Sequence, residues 1–145
     1  MELELRAARI PIIGRIAHHY WLVVVDGGDP ARWEVWQHAD AGGESWGHLH
    51  RNLMEFDRGV GNGPSWVVRT WHDEPASVLA ARLGLAPVSY PWRHRYLLWP
   101  GPNSNTFARW VIDDAAVMGW QALGKRYPVW RPKRLRGISV SPPAR

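Results

Sequence analysis

A serine between two asparagines is the part of this sequence best suited to chemistry. Residues 99–107 read Trp-Pro-Gly-Pro-Asn-Ser-Asn-Thr-Phe, and apolar residues recur after them at helical spacing, which predicts a helix over residues 104–117. Ser104 would lie at the helix N-terminus, where unpaired N–H groups and the helix dipole favour negative charge. Its hydroxyl could attack a carbonyl and leave the oxyanion on those N–H groups, or it could cap the helix. Spacing alone favours the cap.

The residues around this serine have similar alternatives. Asn103 and Asn105 could orient a carbonyl or donate to an oxyanion, and they could equally satisfy the backbone of the loop. The chain holds eleven tryptophans, which could form a tryptophan-rich core, an aromatic binding surface or both. We therefore take Trp21 and Trp99 as candidates to line a substrate groove, with core packing as the alternative.

A nucleophilic serine needs a base, and the histidines supply candidates. His18 and His19 directly precede an apolar run, Tyr20–Val25, that reads as a buried strand. Neighbouring residues on a strand face opposite sides, so only one of the two histidines can face Ser104. A histidine that enters a buried strand is otherwise a hydrogen-bonded structural group.

The remaining histidines do not predict a metal site. His48 and His50, with His38 as a third ligand, would be the candidates, but no carboxylate lies at ligand-like spacing in a regular element. The glycine-rich stretch at residues 59–63 lacks the Lys-Ser/Thr ending of a phosphate loop. We expect neither a metal nor a cofactor.

The elements that must position these residues indicate an α+β domain. Residues 20–25 and 33–38 predict a β-hairpin, and the alternation of the second strand predicts one wet face. The rest of the prediction is a loop over residues 39–64, strands over 66–71 and 96–99, a helix from Asp73 to Leu83 that stops at Gly84, and the helix that begins at Ser104.

Length and charge suggest one domain with a tail. The 145 residues fit a single core over residues 1–128, followed by a basic, proline-containing tail over residues 129–145. Residues 125–145 hold seven basic and no acidic side chains, so the net charge of +5 is a property of this region. Basic proline-rich arms are commonly solvated, and the tail alone does not lead us to expect nucleic-acid binding.

Two absences narrow the chemistry. The sequence contains no cysteine, which excludes disulfides, thiolate metal sites and a thiol nucleophile. Its first residues do not resemble a signal peptide, and its longest apolar run is too short to span a bilayer. We therefore expect a cytoplasmic protein with no membrane span.

Residues 90–107, which end in the Trp-Pro-Gly-Pro-Asn-Ser-Asn-Thr-Phe motif, resemble the hallmark of an uncharacterised bacterial family, a domain of unknown function. Supporting matches are His19-Tyr-Trp21, Trp33-Glu-Val35 and Ala122-Leu-Gly-Lys125, so the resemblance covers residues 15–128. This family carries no assigned activity.

The stretch Asn-Ser-Asn-Thr-Phe is also remotely similar to the Asn-Cys-Asn-Thr-Phe type of segment in permuted papain-like enzymes, which include PPPDE-type isopeptidases, NlpC-type peptidases and lecithin:retinol-type acyltransferases. The resemblance implies a small antiparallel sheet packed on helices, with Ser104 as nucleophile, His19 as base and His38 as the residue that orients His19. Serine replaces the family's cysteine, and a hydroxyl must lose its proton to the base as it attacks.

The resemblance thus implies an acyl hydrolase or acyltransferase that acts on an amide or ester in a small-molecule or peptide substrate. The alternative is a catalytically inactive papain-like module that binds a peptide, a carboxylate or a lipid in the same pocket.

Overall fold

Six antiparallel strands and two main helices make up the computed structural model, which describes residues 1–136. The strand order across the sheet is β4-β5-β3-β2-β1-β6. The strands are β1 (Glu2–Arg9), β2 (His18–Val25), β3 (Ala31–Val35), β4 (Glu44–Trp46), β5 (Leu49–Arg51) and β6 (Ser65–His72). The helices are α1 (Asp73–Ser89), α2 (Ser104–Ile112) and the short α3 (Lys133–Arg136), with 3₁₀ turns at Val60–Asn62 and Ala115–Val117. The predicted α+β class is confirmed.

The centre of the sheet follows from alternating side chains. The predicted strands at residues 20–25 and 66–71 are confirmed as parts of β2 and β6. Both pair with β1, whose Glu-Leu-Glu-Leu start buries every second residue, although no strand was predicted there.

The predicted end of the first helix at Gly84 is wrong, because α1 continues to Ser89. Gly84 does not adopt a left-handed conformation, and a Cβ at this position would meet open space. Leu83 and Ala86 on either side of it are buried in the core. Burial of this face therefore outweighs the weak helix propensity of glycine.

The prediction of a structureless loop over residues 39–64 is also wrong, since β4 and β5 lie within it. These strands have three residues each, and Gly47 makes the turn between them with a φ of 68°. Such short strands give almost no alternation, so their formation depends on pairing with β3.

Two further boundaries differ from the prediction. Residues 96–99 form an irregular segment rather than a strand, and Leu97 and Leu98 are exposed. Helix α2 ends at Ile112 because Asp113 takes a left-handed φ of 58° and donates its N–H to the carbonyl of Arg109.

The two faces of the sheet are covered differently. Helices α1 and α2 pack on one face, where Leu5 and Leu22 of the sheet meet Leu79 and Phe107 of the helices. The opposite face carries a smaller apolar cluster that contains Trp21 and is covered by segment 55–60.

The predicted wet face of the hairpin is wrong. Arg32 and Glu34 of β3 point to this second face and are fully buried there. They form an ion pair of 2.7 Å between Nη2 and Oε2, and Arg32 also donates to the carbonyls of Glu55 and Arg58 at 2.9 and 2.6 Å. Burial of these charges is possible because each is paired.

The described part of the predicted tail packs against α2. Leu135 is buried in the helix-side core, and the Trp110 indole donates to the carbonyl of Trp130 at 2.9 Å. Residues 137–145 lie outside the described part of the chain. Within residues 1–136, none of the helices combines the length and apolar composition needed to cross a bilayer.

Candidate functional site

The start of helix α2 is held by its own side chains. Asn103 Oδ1 accepts hydrogen bonds from the N–H groups of Asn105 and Thr106 at 2.9 and 3.4 Å, and Thr106 Oγ1 accepts from the N–H of Asn103 at 3.1 Å. This reciprocal arrangement is a capping box, and it satisfies the N–H groups of Asn105 and Thr106, which a helix start leaves without a partner inside the helix. Asn103 therefore uses its amide oxygen to start the helix.

Asn105 connects the helix to strand β2. Its Oδ1 accepts from the Tyr20 N–H at 3.1 Å, and its Nδ2 donates to the carbonyls of His18 and Leu123, each at 2.9 Å. Strand β3 pairs with β2 only over residues 22–24, so the Asn105 amide occupies the part of the β2 edge that β3 leaves unpaired. Both ends of the amide are engaged in structure.

Ser104 lies beside this amide and is closed off from solvent. Its side chain is 4% exposed, and its Oγ lies 3.4 Å from Asn105 Oδ1. Among residues 1–136, the structure records no contact between this hydroxyl and a histidine ring. Ser104 is thus neither the side-chain cap of α2 nor part of a serine–histidine pair in this conformation.

The two candidate bases lie on opposite faces of β2. His18 shares the helix-covered face with Tyr20, and its ring packs edge-on against Trp66 with centroids 5.1 Å apart. Burial and the nearby charge of Arg9 lower the pKa of His18, against a hydrogen bond to the Gly14 backbone that raises it. His18 therefore faces the correct side of the sheet but contacts other groups.

His19 points to the face opposite α2. Its Nε2 lies 2.8 Å from Glu34 Oε2, and its ring stacks on Trp21 and meets Trp36 edge-on. Because Trp21 belongs to the cluster on the second face, the His19 ring points away from the apolar core into which α2 packs. The structure does not bring these two predicted residues together.

His19, Glu34 and Arg32 form a buried polar cluster on the second face. The Arg32 guanidinium also lies 4.0 Å above the Trp21 ring, a cation–π distance. Burial alone would raise the pKa of Glu34, but the hydrogen bonds and charges of His19 and Arg32 outweigh it and hold this pKa below its usual range.

The side chain that contacts His19 in the structure is Glu34, at the position where the resemblance implied His38. Strand β3 ends at Val35, and His38 is exposed in the turn that follows. Arg32 and Glu34 lie two residues apart in β3 and share one face of the strand, so their opposite charges could have indicated an ion pair. The sequence did not show that this face is buried.

His48 and His50 form hydrogen bonds with backbone groups near β5. His48 Nδ1 lies 2.8 Å from the Trp36 carbonyl, and His50 Nδ1 lies 2.8 Å from the His48 carbonyl. His50 Nε2 accepts from the Ala41 N–H at 3.0 Å. Within the described residues, no three histidine, aspartate or glutamate side chains group as a metal site would require.

A groove runs along the motif on the outside of the molecule, and we call it the tryptophan groove. Its volume is about 630 Å³, and Trp99 and Trp120 line it with 68% and 66% of their surfaces exposed. Trp21, the other predicted groove residue, is instead fully buried, and its indole donates to the Phe56 carbonyl at 2.8 Å. The remaining lining residues are Pro100, Ala122, Leu123, Gly124, Lys125, Arg126, Tyr127 and Pro128.

The motif lines one wall of this groove and holds the other wall through hydrogen bonds. Trp99 and Pro100 form one wall, and residues 120–128 form the other. Asn105 donates to the Leu123 carbonyl, and Thr106 Oγ1 donates to the Gly124 carbonyl at 2.7 Å, so the polar part of the motif holds the second wall in place.

The groove is apolar inside and cationic at its rim. None of its lining residues carries a carboxylate, while Arg126 is exposed at the edge. Lys125 Nζ donates to the carbonyls of Ala115 and Met118 at 3.2 and 2.7 Å, and burial together with the charge of Arg126 lowers its pKa. Arg126 is therefore the freer of the two charges.

Comparison with known proteins adds a family but no activity. No curated protein and no solved structure matches the chain. The permuted papain-like fold and the roles of Ser104, His19 and His38 stay predictions. The model of one family, described as "Protein of unknown function (DUF3750)", matches residues 1–127. The chain therefore belongs to the DUF3750 family.

Proposed function

We propose that this protein is a non-catalytic binding module that holds a carboxylate-bearing apolar ligand in the tryptophan groove. One observation carries the proposal: two largely exposed tryptophans, Trp99 and Trp120, line a groove with a cationic rim and no lining carboxylate. Large exposed apolar side chains gathered in a groove commonly mark a binding site.

Size and shape support this proposal. A volume of about 630 Å³ lies within the usual range of small-ligand sites. Indole rings offer broad apolar contact with few rotatable bonds, so they lose little entropy on binding. Tyr127 and Pro128 continue the apolar lining, which suits an acyl chain or a short extended peptide.

Charge at the rim supports a carboxylate on that ligand. The exposed Arg126 guanidinium can donate two hydrogen bonds to a carboxylate in a planar geometry. An anionic group would meet no lining carboxylate that repels it. Arg126 should therefore select for the anion, while the tryptophans supply most of the affinity.

Calorimetric titration of the full chain tests the proposal with paired ligands. Decanoate is compared with decanol, and a short apolar peptide with a free C-terminus is compared with its amide. Decanoate and the free-acid peptide should bind more tightly than their uncharged partners. Tighter binding of decanoate than of the peptide would identify the ligand as a fatty acid, and the reverse order would identify it as a peptide C-terminus.

Variants locate the site. Trp120→Ala should weaken binding about tenfold or more, as truncation of a central aromatic contact does. Arg126→Gln should remove the preference for decanoate over decanol. Val88→Ala, at an exposed position in α1, should change neither value. Equal affinities for Trp120→Ala and the unaltered chain would refute the groove as the site.

The serine hydrolase is the second candidate, and the His19–Glu34 contact favours it. A buried carboxylate 2.8 Å from an imidazole nitrogen is the arrangement that orients catalytic histidines. In this proposal Ser104 would attack an amide or ester carbonyl on a permuted papain-like scaffold, and His19 would accept the hydroxyl proton. Among the described residues no contact joins the His19 ring to the Ser104 hydroxyl, whose one recorded hydrogen bond is to Asn105 Oδ1, so we rank it second.

Labelling with a fluorophosphonate probe separates the two functions. The hydrolase predicts labelling that is lost in both Ser104→Ala and His19→Ala, together with turnover of an ester or amide. The binding module predicts no labelling, and the ligand affinity of Ser104→Ala should equal that of the unaltered chain.

A further inference from the structure

The loop that joins β1 to β2, residues 10–17, presents an apolar tip to solvent and has no part in the tryptophan groove. Its sequence is Ile-Pro-Ile-Ile-Gly-Arg-Ile-Ala. Ile12 is fully exposed and Ile16 is about half exposed. One exposed isoleucine would be ordinary, but two in the same short loop form an apolar patch, and exposed apolar patches often mark interaction sites.

Hydrogen bonds within the loop hold this tip in place. The N–H groups of Ile16 and Ala17 both donate to the Ile13 carbonyl at 3.0 Å, and the Ile13 N–H donates to the Pro11 carbonyl at 2.9 Å. Gly61 packs so closely against Pro11 that an added Cβ would lie 2.5 Å from its ring. The segment at residues 60–63 therefore packs against the loop through Gly61 and Pro11.

Ile12 also has an unusual backbone conformation. Its φ is 72°, a left-handed value that β-branched residues rarely adopt because of steric clashes. Strained residues of this kind occur mainly where function requires them. Here the strained conformation places the most exposed isoleucine at the tip of the loop.

Cationic side chains stand around the tip. Arg9, Arg15 and His18 line a groove of about 690 Å³ together with Ile12 and Gln121, and none of its lining residues is acidic. Within residues 1–136, neither Arg9 nor Arg15 forms a salt bridge, whereas Arg6 pairs with Glu4. The two guanidinium groups beside the tip are thus available to an anion.

We propose that this loop docks the protein onto the surface of an anionic lipid bilayer. Ile12 and Ile16 would enter the boundary between headgroups and acyl chains, while Arg9 and Arg15 would contact lipid phosphate and carboxylate groups. Apolar side chains flanked by cations suit this interface, because arginine stems lie along apolar surface while their charged ends stay in water.

The apolar tip and the cations together favour a bilayer over other anionic partners. A nucleic acid or a free phosphate would engage the arginines but would leave Ile12 in water. An acidic protein segment could satisfy the charges in the groove, but its charged side chains would not cover the apolar surfaces of Ile12 and Ile16. A bilayer accommodates both features at once.

Co-sedimentation of the full chain with vesicles tests the proposal. Phosphatidylcholine vesicles are compared with vesicles that also contain phosphatidylserine, and the chain should bind the second kind more tightly. The double variant Ile12→Asn/Ile16→Asn should lose at least about tenfold in partitioning, since two apolar contacts with the acyl region are removed. Arg9→Gln/Arg15→Gln should lose about fivefold per arginine, and only on the anionic vesicles.

Matched controls separate docking from general attraction by the basic C-terminal region. Val88→Asn removes an exposed apolar side chain elsewhere, and Lys133→Gln removes an exposed charge elsewhere. Neither should match the loss of the corresponding loop variant. A urea-unfolding curve for each loop variant should show that the chain still folds.

Three results would overturn the proposal. The first is equal vesicle binding by the folded isoleucine variant and the unaltered chain. The second is equal binding to neutral and anionic vesicles. The third is release of the chain from the vesicles by inorganic phosphate at constant ionic strength, which would assign the cationic groove to a soluble anion.

Discussion

The two faces of the sheet are both buried, but different forces hold them. On the helix-covered face, Leu22 and Phe107 belong to a broad apolar core whose stabilisation depends on the area removed from water. On the opposite face, Glu34 and Arg32 are fully buried charges that His19, Trp21 and the backbone of segment 55–60 enclose.

This difference shows that one strand can serve two kinds of core. Residues of β2 alternate between Leu22 on the first face and His19 on the second, so neighbouring side chains enter opposite environments. The apolar core of the first face gains stability from buried area, a contribution that does not itself depend on pH. The polar face depends on a complete set of partners, so the loss of one member should be severe.

The largest expected effect is the removal of the shared charge. Glu34→Gln should destabilise the fold by about 3–5 kcal/mol, because Arg32 would remain buried without its counter-ion. Urea unfolding at neutral pH measures this change. Glu44→Gln is the matched control, since its pair with Arg51 is exposed and should contribute less than about 1 kcal/mol. Similar losses in the two variants would contradict the description of the polar cluster.

On the apolar face, Leu22→Ala should cost about 3 kcal/mol through lost burial and a residual cavity. The loss should be the same at neutral and mildly acidic pH, since no titrating group is involved. Thermal unfolding at both pH values measures it. A loss that changed with pH would show that the two faces are coupled.

Asn105→Ala should cost about 2–3 kcal/mol, since it removes three hydrogen bonds to the backbone and leaves the Tyr20 N–H unpaired. Asn105→Asp is the sharper comparison, because it keeps the shape and the acceptor but loses both donors. In chemical unfolding, the free energy of unfolding of Asn105→Asp should be lower than that of the unaltered chain by at least the contribution of one hydrogen bond, about 1 kcal/mol. No change in either variant would contradict the amide's role.

The two faces should also differ in how the free energy of unfolding changes with pH. The pKa of Glu34 is lower in the folded protein than in the unfolded chain, so its ionised form favours folding. That contribution is complete above the ordinary glutamate pKa of about 4.3 and is lost as the pH falls through the lower, folded-state pKa. The unaltered chain should therefore lose more stability on acidification than Glu34→Gln does. Parallel curves for the two proteins would show that Glu34 contributes no such dependence.

The smallest expected effect is that of Ser104→Ala. The only hydrogen bond recorded for Ser104 Oγ in the described structure is a long one of 3.4 Å, so its removal should cost less than about 1 kcal/mol. Differential scanning calorimetry against Asn105→Ala provides the comparison. A loss as large as that of Asn105→Ala would reveal a structural role that the geometry does not show.

The apolar face was largely predictable from the sequence. Residues 20–25 and 66–71 carry strong strand signals, and the spacing of Phe107, Trp110 and Val111 predicts a helix whose start is Ser104. These signals are local, because each depends on neighbours within one element. The extension of α1 past Gly84 was missed because it depends on packing against other elements.

The polar face could not be predicted in the same way. Glu34 reads as a solvent-facing residue until its partner His19, fifteen positions earlier, is known to lie beside it. The covering segment 55–60 has no strong hydrophobic periodicity, so the burial of Arg32 could not be predicted from the sequence either. The sequence offered Trp99 as a groove residue, but it did not show that the Asn103 amide caps α2 and that the Asn105 amide holds residue 123 instead of facing a ligand.

The Asn105 amide makes helix and sheet a single cooperative unit. Since its donor and acceptor have the same chemistry as a peptide group, the amide continues the backbone ladder along the edge of β2 that β3 leaves unpaired. Helix α2 cannot slide along β2 without opening that ladder. The spacing between the walls of the tryptophan groove is thereby tied to the integrity of the sheet, and a ligand should meet a preformed site instead of one that it must assemble.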